Sequence, residues 1–288
     1  MRLQFSAIGT EWDIDLPTVA EEILGIKEKI IRRIDAFDKH YSRFRTDSLV
    51  TRMAQSAGEY VLPKDAKPLL DIYQEVYGIT HGLVTPLIGQ VLVDAGYDPE
   101  YSLTSKTLRV PPAWDDVLEY NFPTLTLLQP ALLDFGAAGK GYLVDIIADL
   151  LDSEGIGHYV INAGGDIRCT VPINEPCIIG LEDPSDPKRV IGTVEINSGS
   201  ICGSAGNRRA WKGFHHIINP KTLQSPENIN AVWVRAAEAR IADVLTTCLY
   251  LLSPEEIMPK ISNFAEFFIM YADNTFQQSE NFDAILFK

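Results

Sequence analysis

The sequence predicts an α+β fold in which mixed and antiparallel sheets are flanked by helices. Three observations carry that prediction. Apolar residues recur at spacings of three and four from Val19 to Tyr41, the strongest helical pattern in the chain. Short β-type runs cluster between residues 158 and 203 and return after 230. Helices and strands come in patches rather than in strict βαβ alternation, which disfavours a doubly wound parallel sheet.

Taken in order, residues 3–16 alternate loosely and read as a strand interrupted at Gly9-Thr10. A helix starts at Pro17-Thr18 and carries Val19, Ile23, Ile26, Ile30, Ile34, Phe37 and Tyr41 on one stripe. Asp47 or Ser48 caps a short helix through Met53. Residues 65–78 form another helix, and Gly82–Gly89 is not regular helix because it contains Pro86. Residues 98–114, with Pro99, Pro111 and Pro112, are a surface excursion. The apolar Leu132-Leu133 reads as a strand that ends at Asp134; a small-residue turn and a helix over 139–153 follow. Strands are expected at 158–162, 166–171, 176–181, 190–196 and 200–203, with Asn162–Asp166 as the turn between the first two. His215–Pro220 ends an extended piece, and Ala231–Arg235 is a strand. A helix over 238–252 precedes strands near 266–271, 275–278 and 283–287.

Composition narrows the function classes. The 288 residues carry a net charge of −14, which disfavours nucleic acid or an anionic membrane as a general partner. No apolar run approaches a membrane span. The four cysteines, at 169, 177, 202 and 248, show no CxxC spacing and read as small buried hydrophobes of a reducing compartment. With no signal-peptide pattern at the start, a cytoplasmic location is expected.

The chemistry concentrates in Asp134-Phe135-Gly136-Ala137-Ala138-Gly139-Lys140-Gly141-Tyr142. Small residues let a ligand approach the backbone, the first helical turn attracts anions, and Lys140 adds a positive charge. A phosphate-bearing ligand is one reading; a turn whose glycines serve backbone geometry alone is the other. Asp243 and Thr247 stand four apart on a helix, so both oxygens share a face suited to a hard cation such as Mg²⁺. Alternatively Asp243 caps its own helix and Thr247 bonds the preceding turn. His216, among apolar residues, is either a buried hydrogen-bonded histidine or a general base. His215 is expected on the opposite face. No GxSxG, HExxH or Cys–His pairing is present.

In their order these segments resemble the ApbE family, the FAD:protein FMN transferases. The matching segments are Asp134–Tyr142, the turn Asn162-Ala163-Gly164-Gly165-Asp166, His216-Ile217-Ile218-Asn219-Pro220 and Ala242-Asp243-Val244-Leu245-Thr246-Thr247. Tyr41–Ser48 adds the family's early serine-containing motif. The resemblance implies one domain over 1–288 built of two intimate lobes, with a flavin cleft between them. It implies transfer of FMN from FAD to a threonine or serine of an acceptor protein, with Mg²⁺ and release of AMP. FAD pyrophosphatase activity and non-catalytic flavin binding are the alternatives. By position, Asp243, Thr247 and the Ala137 carbonyl hold the metal, with Thr246 beside them. Asp134 and Lys140 contact FAD. Ile8, Phe44, Ile218 and Leu83-Val84-Thr85 line its pocket, and His216 assists deprotonation of the acceptor hydroxyl. The chain departs from the family at Val84-Thr85-Pro86-Leu87, where F-D-P-T is usual, and at Asn219 and Lys221-Thr222-Leu223, where aspartate and R-T-G are usual. It has no D-G-x-[ST]-G-A-[ST] acceptor motif of its own.

Overall fold

The computed structural model describes residues 1–17, 25–261 and 265–287, with Arg208 described by its backbone alone. Strands β1 (Arg2–Ala7) and β2 (Thr10–Asp15) form an antiparallel hairpin rather than one interrupted strand. Ile8 and Gly9 both take positive φ, 47° and 72°, the two-residue turn whose twist suits a hairpin. Helix α1 (Ile26–Tyr41) buries Ile26, Ile30, Ile34, Phe37 and Tyr41 along one stripe. Thr18, Val19 and Ile23 lie outside the described residues, but the expected unbroken helix is not formed: Gly25, at a left-handed φ of 89°, precedes the first residue of α1. Ser48 caps α2 (Leu49–Met53), its hydroxyl accepting from Thr51 N at 3.1 Å.

Next come β3 (Gly58–Val61), α3 (Lys67–Ile79), α4 (Gly89–Asp94), α5 (Trp114–Val117), β4 (Leu118–Asn121) and β5 (Thr124–Leu127). Residues 98–113 have no regular structure, as their prolines predict. β3, β5 and β4 make a small antiparallel sheet that the pattern reading missed. Four residues give too few alternations to stand out. Leu132-Leu133 is not a strand: the segment lies outside every sheet, and Asp134 N bonds to Pro86 O at 2.8 Å.

Helix α6 (Gly139–Ser153) leads into β6 (Tyr159–Ala163), β7 (Asp166–Thr170), β8 (Cys177–Asp183), β9 (Asp186–Ile196) and β10 (Ser198–Ala205). The pair β11 (Ala210–Trp211) and β12 (Phe214–His215) precedes β13 (Ile229–Ala236), α7 (Ala239–Leu251) and α8 (Pro254–Ile257). Strands β14 (Ala265–Tyr271), β15 (Phe276–Gln278) and β16 (Ala284–Leu286) finish the described chain.

The main sheet has eight strands in the order β1-β2-β6-β7-β10-β13-β14-β15, with every pairing antiparallel. One face carries α6 and α7 and holds the larger core; the other packs against the β16-β9-β8 sheet. The central strands are therefore buried on both faces. In β13, Val232 and Val234 face the helices while Ala231 and Trp233 face the small sheet. In β14, Phe267 and Ile269 alternate in the same way with Phe268 and Met270. This explains their continuous apolar sequences. The helices are anchored by fully buried Leu143, Val144, Ile147, Val244 and Leu245, each contributing about 1.5–3 kcal/mol by burial.

Candidate active site

The N-terminal ends of α6 and α7 meet and cap one another. Asp243 on α7 accepts a hydrogen bond from Gly141 N at 2.8 Å. Asp145 on α6 accepts from Ala239 N at 2.8 Å and Arg240 N at 2.9 Å. Each carboxylate thus satisfies orphan donors at the positive end of the other helix. Asp243 does not cap its own helix. The crossing is close enough to require glycine: a Cβ on Gly141 would lie 2.3 Å from the Ala239 carbonyl oxygen and 2.6 Å from Asp243 Cβ. Because the Gly141 N–H turns to Asp243, it does not bond to the Ala137 carbonyl four residues back. Ala137 N itself donates to the Tyr73 hydroxyl at 3.1 Å, which fixes that peptide.

Lys140, one residue earlier, reaches the turn between β6 and β7. Its ammonium pairs with Asp166 and donates to the Ala163 carbonyl at 3.3 Å. That turn is built by Gly164 and Gly165, both at positive φ, with Gly165 N donating to Asn162 Oδ1 at 2.9 Å. A Cβ on Gly164 would sit 2.0 Å from Thr10 Oγ1, so the turn packs directly on the β1–β2 hairpin. Burial opposes the charge on Lys140, but Asp166 and Asp243 together hold its pKa above the ordinary value. Burial and the neighbouring Asp166 push the Asp243 carboxyl well up.

Asp134 is held from two sides. Its Oδ1 accepts from Gly136 N at 2.7 Å and its Oδ2 from Arg43 Nε at 2.5 Å. Arg43 is 5% exposed, donates to Tyr97 O at 2.7 Å, and lies 4.2 Å and 4.8 Å from the ring centres of Phe44 and Tyr97. Its Nη2 has no hydrogen-bond partner.

The two adjacent histidines differ. His215 is fixed: Nδ1 accepts from Ile217 N at 3.2 Å, so Nε2 is the protonated nitrogen that donates to Pro226 O at 2.9 Å. His216 Nδ1 has no partner. Burial, aided by the positive charges of Arg209 and Lys140 and by His215, lowers the His216 pKa to about 3. The ring is therefore neutral near pH 7 and can accept a proton.

One cleft of about 330 Å³ gathers these groups. Phe44, Leu83, Val84, Thr85, Asp134, Ala137, Lys140, His216, Ile218, Asp243 and Thr247 all line it. Two expected residues do not. Ile8 sits in the hairpin turn and packs against the main core, so the hairpin presents Gly9 and Thr10 instead. Thr246 is fully buried away from the lining, its hydroxyl shared between Ser204 Oγ and the Asp243 carbonyl at 2.7 Å each. The back-bond expected of Thr247 is thus made by Thr246. Among the described residues, no three His, Cys, Asp or Glu side chains cluster as a metal site. A larger open groove of about 890 Å³ shares Leu251 with the cleft but contains none of the predicted residues.

The ApbE family model matches residues 8–268. The chain belongs to the ApbE family. It is 25% identical over 276 residues to the FAD:protein FMN transferase of Escherichia coli K12, covering 88% of this chain and 79% of that relative. The FAD:protein FMN transferase of Vibrio cholerae is 26% identical over 278 residues, with 90% and 83% covered. The fold is that of the ApbE protein of Thermotoga maritima, with a TM-score of 0.82 at 21% identity over 98% of this chain and 97% of that one. The flavin transferase ApbE from Vibrio cholerae gives 0.77 at 21% identity, covering 97% and 96%.

The departures from the ApbE motifs have local physical readings. Thr85, where aspartate is usual, still accepts from Leu87 N at 3.2 Å, so the cap survives without the charge. Asn219 accepts from Lys221 N and Thr222 N at 2.9 and 3.1 Å, bonds that an aspartate carboxylate would accept equally. Leu223, in the place of the family's glycine, keeps a left-handed φ of 59°. The sequence pattern gives no sign of a role for Arg43, Tyr97 or Arg209. Arg43 lies inside the Tyr41–Ser48 motif, and Asp166 closes the Asn162–Asp166 turn. Tyr97 and Arg209 stand in segments with no pattern to mark them.

Proposed function

We propose that this protein is an enzyme, an Mg²⁺-dependent FAD:protein FMN transferase that moves FMN from FAD to a threonine or serine of an acceptor protein and releases AMP. The observation that carries this reading is His216, its Nδ1 without a hydrogen-bond partner, in the same cleft as Lys140, Arg209 and the Asp243–Thr247 face. In the proposed reaction the acceptor hydroxyl oxygen bonds to the flavin-side phosphorus. The phosphoanhydride bond breaks, AMP leaves with the bridging oxygen, and the hydroxyl proton passes to His216. The charge of a bound pyrophosphate raises the histidine's affinity for that proton. Arg209 offsets phosphate charge, which in phosphoryl transfer matters more than covalent chemistry, and Lys140, paired with Asp166, positions the contact. Phe44, Leu83, Val84, Thr85 and Ile218 provide the apolar wall for the flavin or adenine ring.

The chain's own charges support a cation at this place. Asp166 is 1% exposed, and apart from its ion pair with Lys140 its carboxylate oxygens have no hydrogen-bond partner. Asp243 is buried near the same ammonium, and its raised pKa shows that a second negative charge is disfavoured there unless a further cation accompanies it. Asp243, Thr247 and the Ala137 carbonyl form an all-oxygen donor set suited to Mg²⁺. When bound, the ion would supply charge neutralisation at the pyrophosphate.

Incubation with FAD and Mg²⁺, with and without a peptide carrying a D-G-x-[ST]-G-A-[ST] motif, tests the proposal. Covalently fluorescent peptide together with AMP is the expected result. AMP and FMN with no labelled peptide would make the protein a pyrophosphatase. Bound flavin with neither product would make it a non-catalytic binder.

A further inference from the structure

A pair of thiols remote from these contacts has been given no role. Cys169 is the fourth residue of β7 and fully buried; Cys177 is the first residue of β8 and partly exposed. Between them the chain leaves the eight-stranded sheet and enters the three-stranded one. Ile196 brings them together. It is the register partner of Cys177 across β8–β9, and its carbonyl accepts from the Cys169 thiol at 3.8 Å. Directly opposed residues of an antiparallel pair lie about 4.5–5.5 Å apart between Cα atoms. Both thiols therefore stand against the same residue, Ile196, between the two sheets. They border the second apolar cluster, beside Ile179, Ile196 and Phe268. Cys202 has a different neighbour, donating to the Ala239 carbonyl at 3.4 Å, and Cys248 is fully buried.

We propose that Cys169 and Cys177 form a reversible dithiol–disulfide site, closed by a small-molecule disulfide of the glutathione class that reaches Cys177 from solvent. The contact with Cys169 favours the Cys177 thiolate and brings its pKa to about 7, while the same contact and burial push the Cys169 thiol up. Cys177 is therefore the attacking sulfur and Cys169 the resolving one. In the first exchange the Cys177 thiolate bonds to one sulfur of oxidised glutathione, the glutathione S–S bond breaks, and one glutathione thiolate leaves. It takes up the proton that Cys177 had lost. In the second, the Cys169 sulfur bonds to Cys177, the mixed disulfide breaks, and the second glutathione leaves with the Cys169 proton. The two cysteines are oxidised by two electrons and one glutathione disulfide is reduced to two thiols. The bond would fasten the two sheets at the strand whose first residue, Asp166, holds Lys140.

The test treats the reduced full-length protein with oxidised glutathione, counts free thiols, and maps peptides under non-reducing conditions. The expected result is a monomer that has lost two of its four thiols, with Cys169 and Cys177 in one cross-linked peptide pair that dithiothreitol separates. Glutathione retained on Cys177 without a cross-link, intermolecular dimers, or four unreacted thiols would each overturn the proposal. The partly exposed position makes Cys177→Ser the variant that leaves the core untouched, and its remaining thiols should all stay reduced. Loss of two thiols in that variant would also refute the pairing. In Cys169→Ser, Cys177 should stop at the mixed disulfide.

Discussion

Gly141→Ala should destabilise the protein although alanine is the better helix former. In an unhindered helix the change gains about 1 kcal/mol. Here the new Cβ would stand 2.3 Å from the Ala239 carbonyl oxygen, 2.6 Å from Asp243 Cβ and 2.7 Å from the Ala239 carbonyl carbon. Ordinary contact begins near 3.4 Å, so α6 and α7 must part by about 1 Å (3.4 − 2.3). Backbone atoms cannot rotate away as a flexible side chain can. Such overpacking costs about 1–3 kcal/mol. The same movement stretches the 2.8 Å bond from Gly141 N to Asp243 beyond hydrogen-bonding range, and losing a bond to a buried charged group costs about 1.5–3 kcal/mol more. The balance is a net loss of about 1.5–5 kcal/mol. Urea denaturation of wild type and variant measures it directly. Gly139→Ala is the control, because its Cβ would meet only Phe135 Cβ at 3.5 Å and Phe37 Cζ at 3.9 Å. That variant should be neutral or slightly stabilised. Equal behaviour of the two variants, or a stabilised Gly141→Ala, would refute the account of this crossing.

Three further outcomes are expected. Asp243→Asn keeps an acceptor for Gly141 N but loses the charge, so its melting temperature should stay near wild type while AMP release falls by at least about 100-fold; undiminished release would remove Asp243 from the site. Lys140→Met leaves Asp166 and Asp243 buried without their cation, which should cost about 3 kcal/mol and be partly restored by Mg²⁺ in a thermal melt. A melt insensitive to Mg²⁺ would count against a cation beside these carboxylates. For His216 the sign follows from linkage: its folded pKa of about 3 lies below the ordinary 6.5, so between those values the unfolded chain binds the proton that the folded chain refuses. Stability is therefore full above about pH 6.5 and declines as pH falls. His215, lowered by its own burial, contributes in the same direction. His216→Gln should lose less stability than wild type between pH 7.5 and 5, and parallel losses would show that the ring is not held neutral.

The sequence makes some elements legible and hides others for identifiable reasons. Helices α1, α6 and α7 bury apolar residues at helical spacing; the limits of α6 and α7 match to within a residue, and α1 ends at Tyr41 as expected but begins only at Ile26 because Gly25, at a φ of 89°, interrupts the pattern. Strands β13 and β14 show as apolar runs because both faces are covered. The β3–β5–β4 sheet is hidden by the shortness of its strands, and Leu132-Leu133 misleads because an apolar pair, with Leu133 fully buried and Leu132 against Gly89 of α4, looks like a strand. The cleft residues are legible only where a motif joins them. Lys140 and Asp243 lie 103 positions apart, and only the crossing of α6 and α7 brings them together. Thr246 and Thr247 are adjacent, so the motif alone does not decide between them; the helical rotation between them sends one to Ser204 and the other to the cleft. Nothing in the sequence separates Arg43 from an ordinary surface arginine beside Phe44, because its place between two rings exists only in three dimensions.

The crossing of α6 and α7 also changes what the glycine-rich segment is for. A small-residue turn before a helix, with a lysine in it, suggests a phosphate loop whose backbone N–H groups hold an anion. In this chain the Gly141 N–H is already taken by a carboxylate that belongs to the protein. Nor is Lys140 a free counter-charge, since Asp166 holds it. The end of α6 is therefore not an empty anion hole: Asp243 holds its Gly141 N–H, Asp166 holds its lysine, and the Ala137 peptide and Asp243 line the same cleft. Holding a pyrophosphate against the net charge of −14 requires positive charge from elsewhere. Arg209 supplies part of it, and a cation on the oxygen donors of Ala137, Asp243 and Thr247 would supply the rest. On this argument the metal and the anionic ligand are coupled. FAD should bind weakly without Mg²⁺, and its apparent affinity should rise with Mg²⁺ concentration in wild type but not in Asp243→Asn.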